Sequence, residues 1–183
     1  MDAREAEMED DDASHYLLYR VLGVQTEEGK KIDLYQNKGR FLYKYAGAFL
    51  EDATKICFKH KFPNSGPKSI DNTISTKPKK FGIDCLVGND AIEIKWRDAT
   101  TDGDHINKER ARIQCITKAG YTPIRIMFFY PNRSAAIEIQ KKLEKFYLEM
   151  NGQYYHSDNA WAYVKAQTGV DLLSVLQELS DEL

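Results

Sequence analysis

From Asn37 to Phe62 the chain has no proline, and Leu42, Tyr45, Phe49, Ala53 and Ile56 recur at steps of three and four. That spacing predicts one long amphipathic helix with these residues on its buried face. Asn37 could cap its start, and Pro63 lies just beyond its end. Two short apolar runs follow, Phe81–Val87 and Ala91–Trp96, separated by Gly88, Asn89 and Asp90. These residue types suit the positive-φ positions of a tight β-hairpin. A helix from His105 to Ala119 is predicted next, capped by Asp104 and ended by Gly120, with Pro123 beyond. Ile124–Tyr130 is apolar and aromatic, is closed by Pro131, and reads as a strand buried on both faces.

A second long helix is expected from Ser134 to Met150, with Ile137, Leu143, Phe146, Tyr147 and Met150 inward. Residues Asn151–His156 read as its end and a turn. Ala160–Gln167 and Val170–Leu179 then read as two short amphipathic helices parted by Gly169. Their Trp161, Tyr163, Leu172, Leu173, Val175, Leu176 and Leu179 could close the core or form a dimer face. Near the start, Tyr16–Val24 is apolar enough to dock on the body. The order of elements is that of an α/β protein.

The hairpin carries the candidate chemistry. With Asn89-Asp90 as the turn, Asp84 would stand opposite Lys95; with Gly88-Asn89, it would stand opposite Glu93. Side chains alternate along a strand, so either register puts Asp84, Glu93 and Lys95 on one face. Ile83, Cys85, Ile92, Ile94 and Trp96 would fall on the other. A three-residue loop would separate Asp84 from the pair. Two carboxylates can hold Mg²⁺ against a phosphate, and a lysine beside them can orient a water. The competing reading is an exposed strand face on which Glu93 and Lys95 form a weak ion pair, worth about 0–1 kcal/mol.

On these residues the chain resembles the PD-(D/E)xK nuclease superfamily, with Asp84 as the first acid, Glu93 as the second and Lys95 as the lysine. Ile83 stands where the family often has proline. The resemblance covers roughly residues 38–150, the expected catalytic core, and implies a restriction-endonuclease-like fold: a central mixed β-sheet bearing the catalytic hairpin, flanked by helices. It further implies that Asp84 and Glu93, with the Ile94 carbonyl, hold one or two Mg²⁺ ions, for which Mn²⁺ could substitute. The family's helical acid often follows a small residue, as Glu51 follows Gly47, so Glu51 is the candidate and Asp52 the alternative. A plain Glu51–Lys55 ion pair at i,i+4 competes with that role.

The stretch Lys95–Glu109, together with Gly120–Arg125 and Tyr130–Arg133, looks like type II restriction endonucleases of the ApaLI kind. This implies a homodimer cleaving a short palindromic site in double-stranded DNA, and suggests GTGCAC as a target.

Composition sets the bounds. At 183 residues, 42% hydrophobic and 30% charged, the chain reads as a single soluble nuclease domain. No apolar run approaches a membrane span, and the acidic start Met1–Glu5 is unlike a secretory signal. Cys57, Cys85 and Cys115 match no zinc spacing and are odd in number. A reducing compartment is therefore expected, namely the cytoplasm of a bacterial or archaeal cell.

A net charge of −2 seems ill suited to a DNA-binding protein until it is divided along the chain. Residues 1–13 carry −6 and residues 171–183 carry −4, which leaves +8 on the segment between them. That basic segment can neutralise phosphates, while the acidic ends read as solvated tails or, alternatively, as competitors with DNA for the basic surface. Candidate DNA contacts are Lys77, Lys79 and Lys80 ahead of the hairpin, Arg97 after it, and His105, Lys108, Arg110 and Arg112 on the following helix. Two other functions remain open on the same residues: a structure-selective nuclease such as a junction resolvase, and a non-catalytic DNA- or protein-binding domain.

Overall fold

The computed structural model describes residues 13–98, 100 and 103–182. The acidic N-terminal segment thus lies almost wholly outside the described residues. The chain divides into two compact units, Met1–Ala46 and Gly47–Leu183.

In the first unit a 3₁₀ turn, Ala13–His15, leads into α1, Tyr16–Val21. Then α2 begins at Thr26 and continues to Lys61. The Tyr16–Val24 segment docks on the first turns of this helix. Tyr19 Oη donates to Asp33 Oδ1 at 2.9 Å, and His15 Nε2 lies 2.8 Å from Asp33 Oδ2. Gly29 allows this approach, since a Cβ there would lie 2.7 Å from the Tyr19 ring. Asn37 therefore lies inside the helix and caps nothing. Glu27 and Glu28 in the first turn, and Lys59, His60 and Lys61 in the last, complement the dipole of the longer helix.

The second unit is built on a five-stranded sheet in the order β1-β2-β3-β4-β5. Its strands are β1 (Gly66–Asp71), β2 (Lys80–Val87), β3 (Asp90–Arg97), β4 (Thr122–Phe129) and β5 (Gln153–His156). The first three are antiparallel, and β3–β4 and β4–β5 pair parallel. The helices are α3 (Gly103–Lys118), α4 (Ser134–Glu149), α5 (Asp158–Thr168) and α6 (Leu172–Asp181). This is an α/β fold with a mixed sheet flanked by helices, as the sequence predicts.

One core joins Leu50, Cys57 and Phe58 of α2 to Cys85, Ile92, Ile94, Ile124, Ile126 and Phe128 of the sheet, with Ala160, Tyr163, Val164 and Leu172 from α5 and α6. On the other face Ala111, Cys115 and Ile116 of α3 cover Ile70, Phe81, Ile83 and Ala91. The three cysteines are buried and free.

Two further expectations are corrected. First, the buried stripe of α2 is turned by one residue: Leu50, Thr54, Cys57 and Phe58 face the core, whereas Phe49 is 58% and Ile56 69% exposed. Thr54 can be buried because its hydroxyl donates to the Leu50 carbonyl at 2.7 Å. Second, Asn151–His156 is not merely a turn, because Gln153–His156 forms β5. Gly152 makes this possible, since a Cβ there would meet the Pro123 carbonyl at 2.3 Å. The strand β1 has no counterpart among the expected elements: it carries no apolar alternation, has Ile70 as its one buried residue, and exists through pairing with β2.

Candidate active site

The hairpin turn is Gly88-Asn89. Val87 pairs with Asp90, Leu86 with Ala91 and Cys85 with Ile92, and Gly88 has φ +58° at the first turn position. A glycine there suits a type II′ turn. The pairing of β2 with β3 ends at Cys85↔Ile92, and Asp84 is the next residue along β2.

The strand is not regular at Asp84. From Gly66↔Leu86 to Lys68↔Ile83, β1 advances two residues while β2 advances three. The extra residue is a bulge in β2, a device that re-aims side chains. Its effect is visible in the packing: Cys85 joins the core with Ile92 and Ile94, but Ile83 joins Ala91 and α3 on the opposite face. Ile83 thus does not share the face of Cys85, as strict alternation predicted. Asp84 stands at the switch, and its Oδ2 accepts from the Ile94 N–H at 2.9 Å. The carboxylate is held at the backbone between Glu93 and Lys95.

Glu93 is 4% exposed. Its Oε1 lies 2.6 Å from Lys95 Nζ, and its Oε2 contacts Arg112 Nη2. Lys95 is about one-third exposed, so this pair opens to solvent on the lysine side. The carboxylates suit a hard divalent cation, which binds through one or two such groups and keeps several waters. Each oxygen retains a lone pair beyond the contacts described.

Behind Glu93 runs a buried chain of alternating charge. Arg112 Nη1 reaches Glu109 Oε1 at 3.2 Å, Glu109 Oε2 meets Arg125 Nη1 at 3.2 Å, and Arg125 Nη2 meets Asp98 Oδ2 at 2.5 Å. His105 Nε2 lies 3.1 Å from the same Asp98 oxygen. Gln140 Nε2 donates to the Asp98 carbonyl at 3.3 Å, and Tyr154 Oη donates to Gln140 Oε1 at 2.7 Å. Burial would raise the Asp98 carboxyl. The His105 hydrogen bond, the Arg125 guanidinium and the Thr100 N–H outweigh it and hold that carboxyl well below the usual carboxylate range. Burial likewise opposes charge on Arg125, but the Glu109 and Asp98 carboxylates prevail and raise its pKa. Tyr147, fully buried beside them, is pushed up to about 12 by burial and stays neutral.

Sequence reasoning overlooked Asp98, Glu109 and Arg125. The signal was present in Arg125, a lone charge inside a run expected to be buried on both faces. A buried guanidinium requires a carboxylate within reach.

The other candidates are scattered. Lys55 binds Glu51 Oε1 at 2.9 Å and Asp52 Oδ1 at 2.8 Å, so both helical acids are engaged by one lysine. Among the described residues no three His, Cys, Asp or Glu side chains converge on a common metal position. Gly47 serves packing: a Cβ there would lie 3.0 Å from the Trp96 ring. Lys77 and Lys79 are exposed in the β1–β2 connection, and Lys80 lies 3.5 Å from Asp71. Arg97 donates to Asn132 Oδ1 at 3.3 Å. Lys108 is exposed, and Arg110, also exposed, lies over the Phe146 ring at 4.6 Å. Arg112 is corrected outright: at 7% exposure, with its guanidinium bound to Glu93 and Glu109, it faces the protein interior and offers nothing to a DNA groove.

No helix among the described residues is long and apolar enough to cross a membrane. Comparison with curated proteins returns no match, and neither does comparison with solved structures. The sequence profile of the ApaLI-like restriction endonucleases, by contrast, matches residues 1–181. That span includes the hairpin, its bulge and the buried charge chain, and the chain therefore belongs to the ApaLI-like restriction endonuclease family.

Proposed function

We propose that this restriction endonuclease hydrolyses phosphodiester bonds of double-stranded DNA in a Mg²⁺-dependent reaction, with Asp84, Glu93 and Lys95 as its catalytic residues. The observation that carries this is the placement of the Asp84 carboxylate by the Ile94 N–H, next to a buried Glu93 whose Oε1 is shared with the half-open Lys95. Membership of the family supports the same reading.

Asp84 and Glu93 would hold the cation, with the Ile94 carbonyl as a further oxygen donor. When bound, Mg²⁺ would polarise the phosphate and acidify a water. Lys95 would orient a water for in-line attack and stabilise charge developing on the phosphoryl oxygens. Glu51, which Lys55 engages at 2.9 Å, would serve as an outer ligand of the metal or its water.

One chain offers a single set of these residues, whereas cutting both strands requires two. A two-fold homodimer supplies them, and its symmetry calls for a palindromic site. The enzyme would work in the cytoplasm, where its DNA substrate lies. Digestion of a plasmid of known sequence with Mg²⁺ should yield discrete linear fragments whose ends all map to one palindrome. A monomer that ignores the plasmid and cuts four-way junctions would point to a repair nuclease instead.

A further inference from the structure

Glu93 has two inequivalent carboxylate oxygens. Oε1 is shared with Lys95, which is about one-third exposed. Oε2 is drawn inward by Arg112, whose side chain is 8% exposed. The carboxylate is thereby pinned in rotation, presenting one oxygen outward and one to the protein. Arg112 is itself pinned, because its other terminal nitrogen is bound by Glu109 one helical turn earlier on α3. Glu109 is in turn fixed through Arg125 to Asp98.

Burying so many charges is a poor way to gain stability, since the desolvation cost can match or exceed the Coulomb gain. A planar guanidinium does supply something an apolar side chain cannot, namely a fixed fork that sets the orientation of a carboxylate. Its charge also matters. A cation against Glu93 weakens that carboxylate's attraction for another cation, and Glu109 on the far side of Arg112 moderates the effect.

Resting on the nuclease reading above, we propose that Arg112 is a positioning residue of the reaction. It orients the Glu93 carboxylate from the protein side and sets how strongly that carboxylate attracts a divalent cation, while Glu109, Arg125 and Asp98 hold Arg112 in place. Groups that orient a metal ligand in this way commonly change metal affinity or turnover by about 10–100-fold.

The test measures Mn²⁺ binding to the full-length, DNA-free protein by calorimetry, beside kcat, KM and melting temperature, for wild type, Arg112→Met, Arg112→Lys and Glu109→Gln. Arg112→Met should bind Mn²⁺ several-fold more tightly, because a competing positive charge is gone. It should nevertheless cleave plasmid about tenfold or more slowly at saturating Mn²⁺. KM for DNA should stay near wild type. Arg112→Lys should bring Mn²⁺ affinity back toward wild type and recover part of the turnover. Glu109→Gln should shift affinity the opposite way, to weaker binding, because Arg112 loses its moderating carboxylate. Tighter metal binding with slower cleavage is a combination that simple loss of folded protein cannot produce.

Unchanged Mn²⁺ affinity and unchanged kcat in Arg112→Met would overturn the proposal, as would a parallel fall of both with the melting temperature. Should Arg112→Met fail to fold, Glu109→Gln decides: wild-type Mn²⁺ affinity there overturns it equally. A wild-type protein that neither binds Mn²⁺ nor cuts DNA would remove the nuclease reading itself. Metal-dependent cleavage indifferent to these substitutions would remove the role of Arg112 alone.

Discussion

Glu93 and Arg125 are register partners in the parallel β3–β4 ladder, yet each takes its counter-ions elsewhere. Glu93 turns to Lys95 and Arg112, and Arg125 to Glu109 and Asp98. Glu109, carried over the sheet by α3, lies between the two arginines and divides them. The outcome is one oxygen of Glu93 facing the half-open lysine, with the remaining charges neutralised inside.

Lys95 should act on the transition state more than on substrate binding. Lys95→Ala is expected to lower plasmid cleavage by about 10²-fold or more, the scale of losing one donor to a developing oxyanion. Duplex affinity in a filter or gel-shift assay should change little. Wild-type cleavage by this variant would contradict the assignment.

Asp84→Asn retains an oxygen for the Ile94 N–H but removes the negative charge a hard cation needs. Wild-type protein should melt at a higher temperature with Mg²⁺ or Mn²⁺ than in EDTA, since a ligand that binds only the folded state stabilises it. Asp84→Asn should lose both that shift and cleavage, and EDTA should silence the wild type.

Asp98 should reveal itself in acid. Its folded pKa is depressed by His105, Arg125 and the Thr100 N–H acting against burial. A carboxyl of this kind contributes stability that is complete above its unfolded pKa, about 3.9, and is lost as pH falls toward the folded value. In urea titrations the advantage of wild type over Asp98→Asn should be flat from about pH 7 to pH 5 and shrink below about pH 4. An advantage that grew with acid would have the wrong sign.

The turned stripe of α2 offers a contrast between neighbouring phenylalanines. Phe58 is 1% exposed and Phe49 58%. Phe58→Ala should cost about 3–5 kcal/mol by urea denaturation. Phe49→Ser, on the exposed face, should stay within about 0.5 kcal/mol. Equal losses would place the helix face where the apolar periodicity alone had put it.

Much of this was legible in the residues themselves. Gly88 and Asn89 between two β-prone runs specify a tight turn, and a tight turn brings Asp84, Glu93 and Lys95 together whichever of two registers is taken. Pro131 after an apolar run marks the end of β4, and Gly169 parts α5 from α6. Such local conformational preferences act within a few residues, so they can be read directly from a sequence.

Tertiary packing decided the rest. Leu50, Thr54 and Cys57 displaced Phe49 and Ile56 from the buried face, while Ala53 stays packed against the core, because a helix turns to fit the surface it meets and Thr54 satisfied its hydroxyl within the helix. Strands β1 and β5 have little pattern of their own and formed on the edges of existing strands. The bulge at Asp84 arose from pairing with β1, a strand the local pattern did not reveal. Arg112 has the composition of a surface residue, and only the arrival of β3 beneath α3 turned it into the inner partner of Glu93. Which charges meet depends on elements far apart in the chain, and no periodicity within a single element encodes that meeting.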